Sequence, residues 1–480
     1  MQFLGIFEAN MIKRLILSFF ILGAHSFHAQ SEWNLQQCVD YALKHNILLK
    51  QAEISNRISK NNSLQSKASI LPSVNAGAAH TYNFGRTIDR FTNTFANTQV
   101  LSQNMYISSN LVLWSGLSQY NNIKANELAY KANSESIKQQ QNDLSLNVAT
   151  AYINVIYCDE LMAIAKNQFD ITKQQYERTI KLADAGTLAK SAVYDIKAQL
   201  ANEEVNVTNA DNNYQIAMLT LMQLMNLDSL PNFKINKPDV DVQSADLLTN
   251  SVQSIYETAL KNQPSIKSAE YNLLMAEKSL AAAKGRMSPT ISLNGSIGTG
   301  YSGLAKNLKG INITGADTTG VTTGGDYVLT PTYETIMEDK PFTDQYSDNV
   351  NKSIGLTLSV PIFNGLQTYT SVKNAKLNAL NAKYGQDLAE QNLYKIIAQA
   401  YANARAALNK YVASKASVEA SEQSFGFAQQ KFNVGAISSF DFNSAKSRLA
   451  TAQSNLLQSK YDYLFKLKVL DFYMGKQLTF

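Results

Sequence analysis

From Leu117 to Ala185 the chain carries neither Gly nor Pro, and small or apolar residues recur at spacings of four and three: Leu144, Val148, Ala151, Val155, Cys158, Met162 and Ala165. That is a coiled-coil seam, not a strand pattern. Leu146, Ile153, Ile156 and Ile164 set a second apolar stripe on another face, so the predicted helix meets neighbours on two sides. A single helix of this length runs ~100 Å at about 1.5 Å per residue, far past the roughly 8–20 residues of ordinary globular helices.

Elsewhere the period falls from 3.6 to 2. Val74, Ala76, Ala78, Tyr82 and Phe84 alternate with Asn75, Gly77, Thr81 and Asn83. Met105, Ile107, Leu111 and Leu113 alternate more weakly with Tyr106, Ser108 and Asn110. Ile291, Leu293, Ile297 and Tyr301 oppose Ser292, Asn294, Ser296 and Gly298, while Ile354, Leu356, Leu358 and Val360 oppose Ser353, Gly355, Thr357 and Ser359. Each segment approaches the roughly 9–11 residues of a tilted membrane-spanning strand. One apolar face and one small, polar face suit a barrel wall between lipid and a water-filled lumen; the competing reading is a half-buried sheet in a soluble domain. The segments joining the strands, about Gly85 to Asn104 and Ser302 to Asn351, read as loops. The second is long and acidic (Asp317, Asp326, Glu334, Glu338, Asp339, Asp344, Asp348), as expected of a solvent-exposed cap.

The pattern occurs twice. Val148–Asn154 matches Ile397–Asn403, and the same offset aligns Trp114-Ser115-Gly116 with Phe363-Asn364-Gly365 and Gly186 with Gly435. A smaller offset aligns Ala42-Leu43-Lys44 with Ala259-Leu260-Lys261 and Pro72 with Pro289, so the second half holds extra residues between Pro289 and Phe363. Such a repeat decides the fold before any local reading does. Each half reads as a short helix, a longer helix, two strands, the long helix, a tight turn and a returning helix. Helices are expected over Leu35–His45 and on to Ile70, from Ser251 to about Gly285 with a break at Pro264, over Leu188–Leu227, and over Ser438–Tyr473. Gly186 and Gly435 mark the turns, where a helix C-terminus needs positive φ. In each half, the helix before the strands and the returning helix together match one long helix. The resulting division is a signal peptide over 1–30, a first repeat over 31–230, a linker over 231–250 marked by Pro231 and Pro238, and a second repeat over 251–480.

Composition alters this picture little. The 480 residues are 17% charged with a formal net charge of +5, and Lys and Arg are scattered, which argues against a nucleic-acid partner. Lys13-Arg14, the apolar run Leu15–Ala24 and the small or polar residues up to Gln30 form an export signal; Met11 is an alternative start to Met1. Export would permit Cys38 and Cys158 to pair, the alternative being two small packed residues. His25 and His28 leave with the signal, so His45 and His80 make no histidine-rich metal site. Gly298-Thr299-Gly300-Tyr301-Ser302-Gly303 has the glycine spacing of a nucleotide loop but opens no helix. No cofactor and no enzymatic activity are expected.

Four strands are too few for a transmembrane barrel, the smallest having about eight, and an open edge in lipid leaves backbone groups unsatisfied at several kcal/mol each. Copies of the chain must therefore share a barrel, continued by a helical tube. Here the chain resembles the TolC family of outer-membrane efflux proteins, over nearly its whole expected mature length. The residues that carry the resemblance are Leu71-Pro72 and Ser288-Pro289 before the first strand of each half, Val360-Pro361-Ile362-Phe363-Asn364-Gly365 after the last, and Phe432-Asn433-Val434-Gly435 followed by Asp441. Phe84-Gly85-Arg86-Thr87-Ile88-Asp89 and Pro341-Phe342-Thr343-Asp344-Gln345 resemble its Bacteroidota branch.

The resemblance implies an α+β membrane protein. Its duplicated helix–strand–strand–helix halves would form a homotrimeric outer-membrane β-barrel, four strands per chain, with a periplasmic α-helical coiled-coil barrel below. It also implies an exit duct for small molecules or exported proteins, and two partners: a periplasmic adaptor docked at the tip turns (Gly186, Val434, Gly435) and an inner-membrane pump of the RND or ABC type. Family acids after the second tip narrow the periplasmic entrance. Asp441 holds one such position, Ser444 replaces the next, and in the first half Ala192 and Asp195 stand at those spacings. Three Asp441 carboxylates would form a cation-favouring ring; the bland reading is a solvated charge near a helix N-terminus. The rival for the whole chain, a periplasmic coiled-coil adaptor without a pore, would lack the two strand pairs.

Overall fold

The structure, a computed structural model, describes residues 32–97, 99–228, 233–237 and 250–476; the expected export signal over 1–30, with Pro231 and Pro238, lies outside them. Backbone contacts divide the chain into one unit of Met1–Ser55, Glu135–Lys267 and Leu388–Phe480 and another of Asn56–Ser134 and Ser268–Asp387.

The first unit is helical. Its elements are α1 (Leu35–His45), the start of α2 (Ile47–Ala68), most of α3 (Ser118–Asp184), α4 (Lys190–Met225), α5 (Val252–Asn262), the start of α6 (Pro264–Gly285), most of α8 (Gln367–Asn433) and α9 (Ser439–Tyr473). A capping box opens α1: Asn34 Oδ1 accepts from Gln37 N–H at 2.8 Å and Gln37 Oε1 from Asn34 N–H at 2.9 Å. Asn226, at φ +52°, ends α4, and its Oδ1 accepts the Ile47 N–H at 3.1 Å. Asn46 Nδ2 returns a bond to Leu224 O at 3.0 Å. The end of one helix thus caps the start of the next, the end-to-end match that the lengths implied.

The α3 seam packs as its spacing predicts. Val148, Tyr152 and Val155 meet Cys38 and Ala42 of α1, Leu221 and Met225 of α4, and Tyr461 and Leu464 of α9. The second half repeats the plan on a smaller scale, with Ile397 and Ala404 of α8 against Ile255, Ala259, Ile266 and Leu470. Length and composition would let α3 cross a membrane, but its apolar residues are the ones packed here. Cys38 and Cys158 are free thiols in this cluster; burial pushes Cys38 up to about 12 and raises Cys158, so both stay as neutral packed groups.

The second unit is built on four antiparallel strands in the order β1 (Ser73–Asn83), β4 (Val100–Trp114), β5 (Thr290–Ser302), β8 (Asn351–Ser359). The duplication is exact at the level of register: Val74 pairs with Ser109 as Ile291 pairs with Leu358. The turns into the long helices also repeat. Gly116 and Leu117 both have φ near +61°, and Gly365 and Leu366 have +63° and +65°. Left-handed leucine costs roughly 1–2 kcal/mol, and it recurs at equivalent positions. In the first turn the backbone is crowded: a Cβ on Gly116 would stand 2.3 Å from Gly285 O.

Both joining segments hold more structure than loops. The first contains a small hairpin, β2 (Thr87–Asp89) with β3 (Thr94–Ala96), and β4 begins five residues before the alternation at Met105 is visible. The second forms a long ribbon, β6 (Lys306–Val321) with β7 (Tyr327–Asp339), then helix α7 (Phe342–Asp348). Register shifts between Leu308 and Gly310, Ile313 and Gly315, and Thr318 and Gly320 mark bulges, each of which reverses the period-2 parity. That reversal hides the strand from a reading by simple alternation.

Candidate channel-forming surfaces

Pairing aligns side chains across the sheet. On one face stand Leu111, Leu293 and Leu356 in one row, and Ala76, Ile107 and Ile297 in another. On the opposite face the residues are hydrogen-bonded to each other: Asn110 Nδ2 to Asn294 Oδ1 at 2.6 Å, Asn294 Nδ2 to Thr357 Oγ1 at 2.9 Å, and Ser296 Oγ with Ser353 Oγ at 2.8 Å. The Tyr106 ring, on this polar face, lies over Gly77, where a Cβ would meet it at 2.7 Å. Toward the end of the sheet bearing the hairpins, the apolar face changes character. His80 and Gln103 bond at 2.8 Å, and Tyr301, Phe342 and Tyr346 cluster, the Tyr346 hydroxyl donating to Gln103 Oε1 at 3.2 Å. An apolar band ending in an aromatic, polar girdle is the outer surface of a membrane barrel. Among the described residues no strand pairs with the outer edge of β1 or of β8.

The same end of the sheet is partly covered on its polar side. The β2–β3 hairpin seats Phe91 against β5, its ring occupying the space of a Gly300 side chain. A cavity of about 150 Å³ remains between the hairpin and polar-face residues such as Thr81 and Ser102. Asp89, 3% exposed, anchors the hairpin. It accepts from Phe91 N–H at 3.0 Å, Thr92 Oγ1 at 2.8 Å and the Ser302 hydroxyl. From the other side Gln345 Oε1 accepts Ser302 N–H at 2.9 Å, and its Nε2 donates to Ser302 O at 3.1 Å and Lys340 O at 2.9 Å. Asp89 and Gln345 lie in the two motifs singled out in the sequence. Neither motif alone reveals that they meet on one serine.

In the helical unit, the tips carry the other candidate residues. Gly186 and Gly435 both have φ +76°, with no atom among the described residues within 4 Å of where a Cβ would stand; their role in the turn is conformational. Thr187 N–H to Leu182 O (2.9 Å) and Ala436 N–H to Lys431 O (2.8 Å) close the same C-terminal motif. Val434 is 80% exposed. Ser438 caps α9: its oxygen accepts Asp441 N–H at 3.2 Å and its hydroxyl donates to Asp441 Oδ2 at 2.7 Å. Asp441 is exposed in the first turn, Ser444 is half-buried one turn on, and Asp195 is exposed on α4. Among the described residues no hydrogen bond or ion pair joins Asp195 to Asp441.

Three features here escape sequence reasoning. Arg178 of α3 ties down the second tip, Nη1 to Asn433 Oδ1 at 2.5 Å and Nη2 to Asn433 O at 3.1 Å. Phe442 is buried against Phe432 and Phe425, at 4.7 and 5.6 Å. Lys446 of α9, 4% exposed, reaches Glu203 Oε1 on α4 at 3.0 Å and Gln168 O and Thr172 Oγ1 on α3. Only the apolar residue after Asp441 signals any of them in advance.

The comparisons agree with this geometry. The family model for outer membrane efflux proteins matches residues 38–227 and 255–476. The outer membrane protein TolC of Escherichia coli (strain K12) is 24% identical over 450 residues, 92% of this chain and 82% of its own length. The outer membrane efflux protein BepC of Brucella suis is 22% identical over 421 residues, 88% and 80%. Among solved structures, CusC superposes with a TM-score of 0.74 at 17% identity, covering 94% of this chain and 96% of CusC. VceC of Vibrio cholerae gives 0.73 at 15% identity, covering 92% and 96%. These structures share the fold, and the match of the family model to both halves settles the lineage: the chain belongs to the outer membrane efflux protein family.

Proposed function

We propose that the protein is the outer-membrane exit duct of a tripartite efflux or type I secretion system, through which three copies passively conduct small molecules or exported proteins. The observation that carries this reading is the sheet, apolar on one side, hydrogen-bonded and polar on the other, with the outer edges of β1 and β8 unpaired among the described residues. Copies remove those edges by pairing β8 of one chain with β1 of the next, and the duplication supplies the register. Within the chain the first half meets the second through β4 and β5, Ser109 opposite Gly295 and Met105 opposite Thr299. Carrying both strands forward by the repeat puts Leu358 opposite Ala78 and Ile354 opposite Tyr82 of the neighbouring copy. Each pair falls on the apolar face, as the two independent registers require. Leu358→Cys with Ala78→Cys in one chain is expected to form inter-chain disulfides in membranes, while Leu358→Cys with Ala79→Cys, which points to the other face, does not. Absence of any inter-chain product from the first pair overturns the reading.

In this assembly the helical hairpins form the periplasmic tube. The tip turns at Gly186, Val434 and Gly435 meet a periplasmic adaptor, which links the duct to an RND or ABC pump. Asp441 is the charge at the entrance, repeated by symmetry, with Ser444 nine residues after Gly435 and Asp195 at the same spacing after Gly186. Asp441→Asn is expected to weaken cation selectivity and block by a multivalent cation from the tip side in single-channel recordings, with Asp195→Asn as the comparison. Unchanged selectivity and block in both variants would leave Asp441 as a first-turn surface charge that serves only its helix.

A further inference from the structure

The β6–β7 ribbon has one built apolar face. Leu308, Ile311, Ile313, Leu329, Tyr333 and Met337 lie on it, paired as Leu308 with Met337, Ile313 with Tyr333, and Thr318 with Leu329. All six are more than half exposed, Ile313 at 71%. Simple alternation along β6 would scatter its apolar residues over both faces, since Leu308 and Ala316 differ in parity from Ile311, Ile313 and Val321. The three bulges, each placed before a glycine (Gly310, Gly315, Gly320), restore them to one side. The other face is mainly polar, with Asn312, Asp317, Glu334 and Glu338 beside Val328 and Ile336.

A two-stranded ribbon is marginal alone in water, and among the described residues these strands pack chiefly on each other. Its base, however, is rigid. Lys340 N–H bonds Ala305 O at 2.9 Å across the stem, and Gln345 holds Ser302 and Lys340 from below. The ribbon is therefore aimed, and its apolar face calls for a cover. The opposite face, with Asp317, Glu334 and the Lys309–Glu338 ion pair at 3.4 Å, is the one left to water. Copies of this chain must meet along β1 and β8, strands of the same unit, and their meeting brings one ribbon per copy to the same end of the barrel.

We propose that the apolar faces of the β6–β7 ribbons from the three copies converge on the axis of the assembly, each ribbon covering its neighbours and forming a second inter-chain contact beyond the barrel. This rests on the reading that copies share one barrel. Ribbons packed face to face around one axis, at the sheet spacing of about 10 Å, hold equivalent side chains within the span of a short bis-maleimide. Cys38 and Cys158 are buried, which leaves an introduced thiol as the reactive one. In outer membranes, Ile313→Cys is expected to cross-link between chains and to react with an impermeant polyethylene-glycol maleimide about tenfold more slowly than Asn312→Cys on the polar face; Asn312→Cys is expected not to cross-link. Thr318→Cys, a smaller change on the same face, gives the same result should Ile313→Cys fail to accumulate. Rapid labelling of both apolar-face thiols without cross-linking, in membranes where the Leu358→Cys, Ala78→Cys pair does cross-link, overturns the ribbon contact alone. Slow labelling without cross-linking also overturns it, since the cover is then lipid or another protein. Failure of the Leu358→Cys, Ala78→Cys pair itself overturns the shared barrel and the ribbon contact together.

Discussion

Leu293→Arg and Leu356→Arg are each expected to abolish accumulation in the outer membrane, whereas Asn294→Arg and Thr357→Arg, one position along the same strands, leave assembly largely intact. Leu293 stands between Leu111 and Leu356 in one row of the apolar face; it lies three residues beyond the start of β5 at Thr290, and Leu356 lies three before the end of β8 at Ser359. A guanidinium facing the bilayer midplane costs about 2–4 kcal/mol. The cost recurs in every copy of a shared barrel, so it acts on assembly as a multiple. At Asn294 the new side chain instead enters the polar face, where it displaces bonds to Asn110 and Thr357 but finds water. Comparing heat-sensitive oligomers in membrane fractions measures the difference; equal losses on the two faces would reverse the assignment of lipid and lumen.

Glu203→Gln is expected to destabilise the helical unit by about 3–5 kcal/mol, the cost of stranding one partner of a buried ion pair. The amide leaves the Lys446 ammonium, between α3, α4 and α9, without a counter-charge. The conservative control is the double replacement Glu203→Leu, Lys446→Met, which removes both charges and restores most of the loss. The pair also predicts a pH dependence. Burial alone would raise the Glu203 carboxyl, but Lys446, with Gln199 and Asn206, outweighs it and holds the value below the ordinary range. Its contribution is complete above the unfolded carboxyl pKa and disappears as pH falls through the lowered folded value. Burial lowers Lys446 against the pull of Glu203, so this proton too binds more weakly in the folded chain, and stability again rises with pH across its window. Thermal melts of parent and Glu203→Gln should converge in acid. Equal melting temperatures at neutral pH would show that Lys446 finds other compensation.

Periodicity read the parts of this protein that obey one period throughout. The expected helix from Leu117 to Ala185 is observed over Ser118–Asp184, and its twin ends at Asn433 just before the tip glycine. The four wall strands appear with the faces their alternation assigned. The β6–β7 ribbon was not legible, because three bulges change its parity while keeping its apolar side. The hairpin at Thr87–Ala96 was too short to show a period at all. The candidate residues divide in the same way. Gly186 and Gly435 announce a positive φ locally, and both have one. Asp441 is found in the first turn of its own helix, bonded to the Ser438 cap, and its meaning for the pore depends on symmetry mates. Asp89 and Gln345 are polar residues in motifs far apart in sequence, and only tertiary pairing brings them to Ser302.

The register shared by β1–β4 and β5–β8 has a consequence for how such a protein arises. If the contact between halves and the contact between chains follow one rule, a closed ring contains twice as many equivalent seams as polypeptides. A single half, expressed alone, has the information to close the same ring with twice the number of subunits. Fusing two halves into one gene leaves the wall unchanged but makes its two connecting loops independently heritable. One holds a short hairpin and the other the ribbon, a difference that a ring of identical halves could not carry.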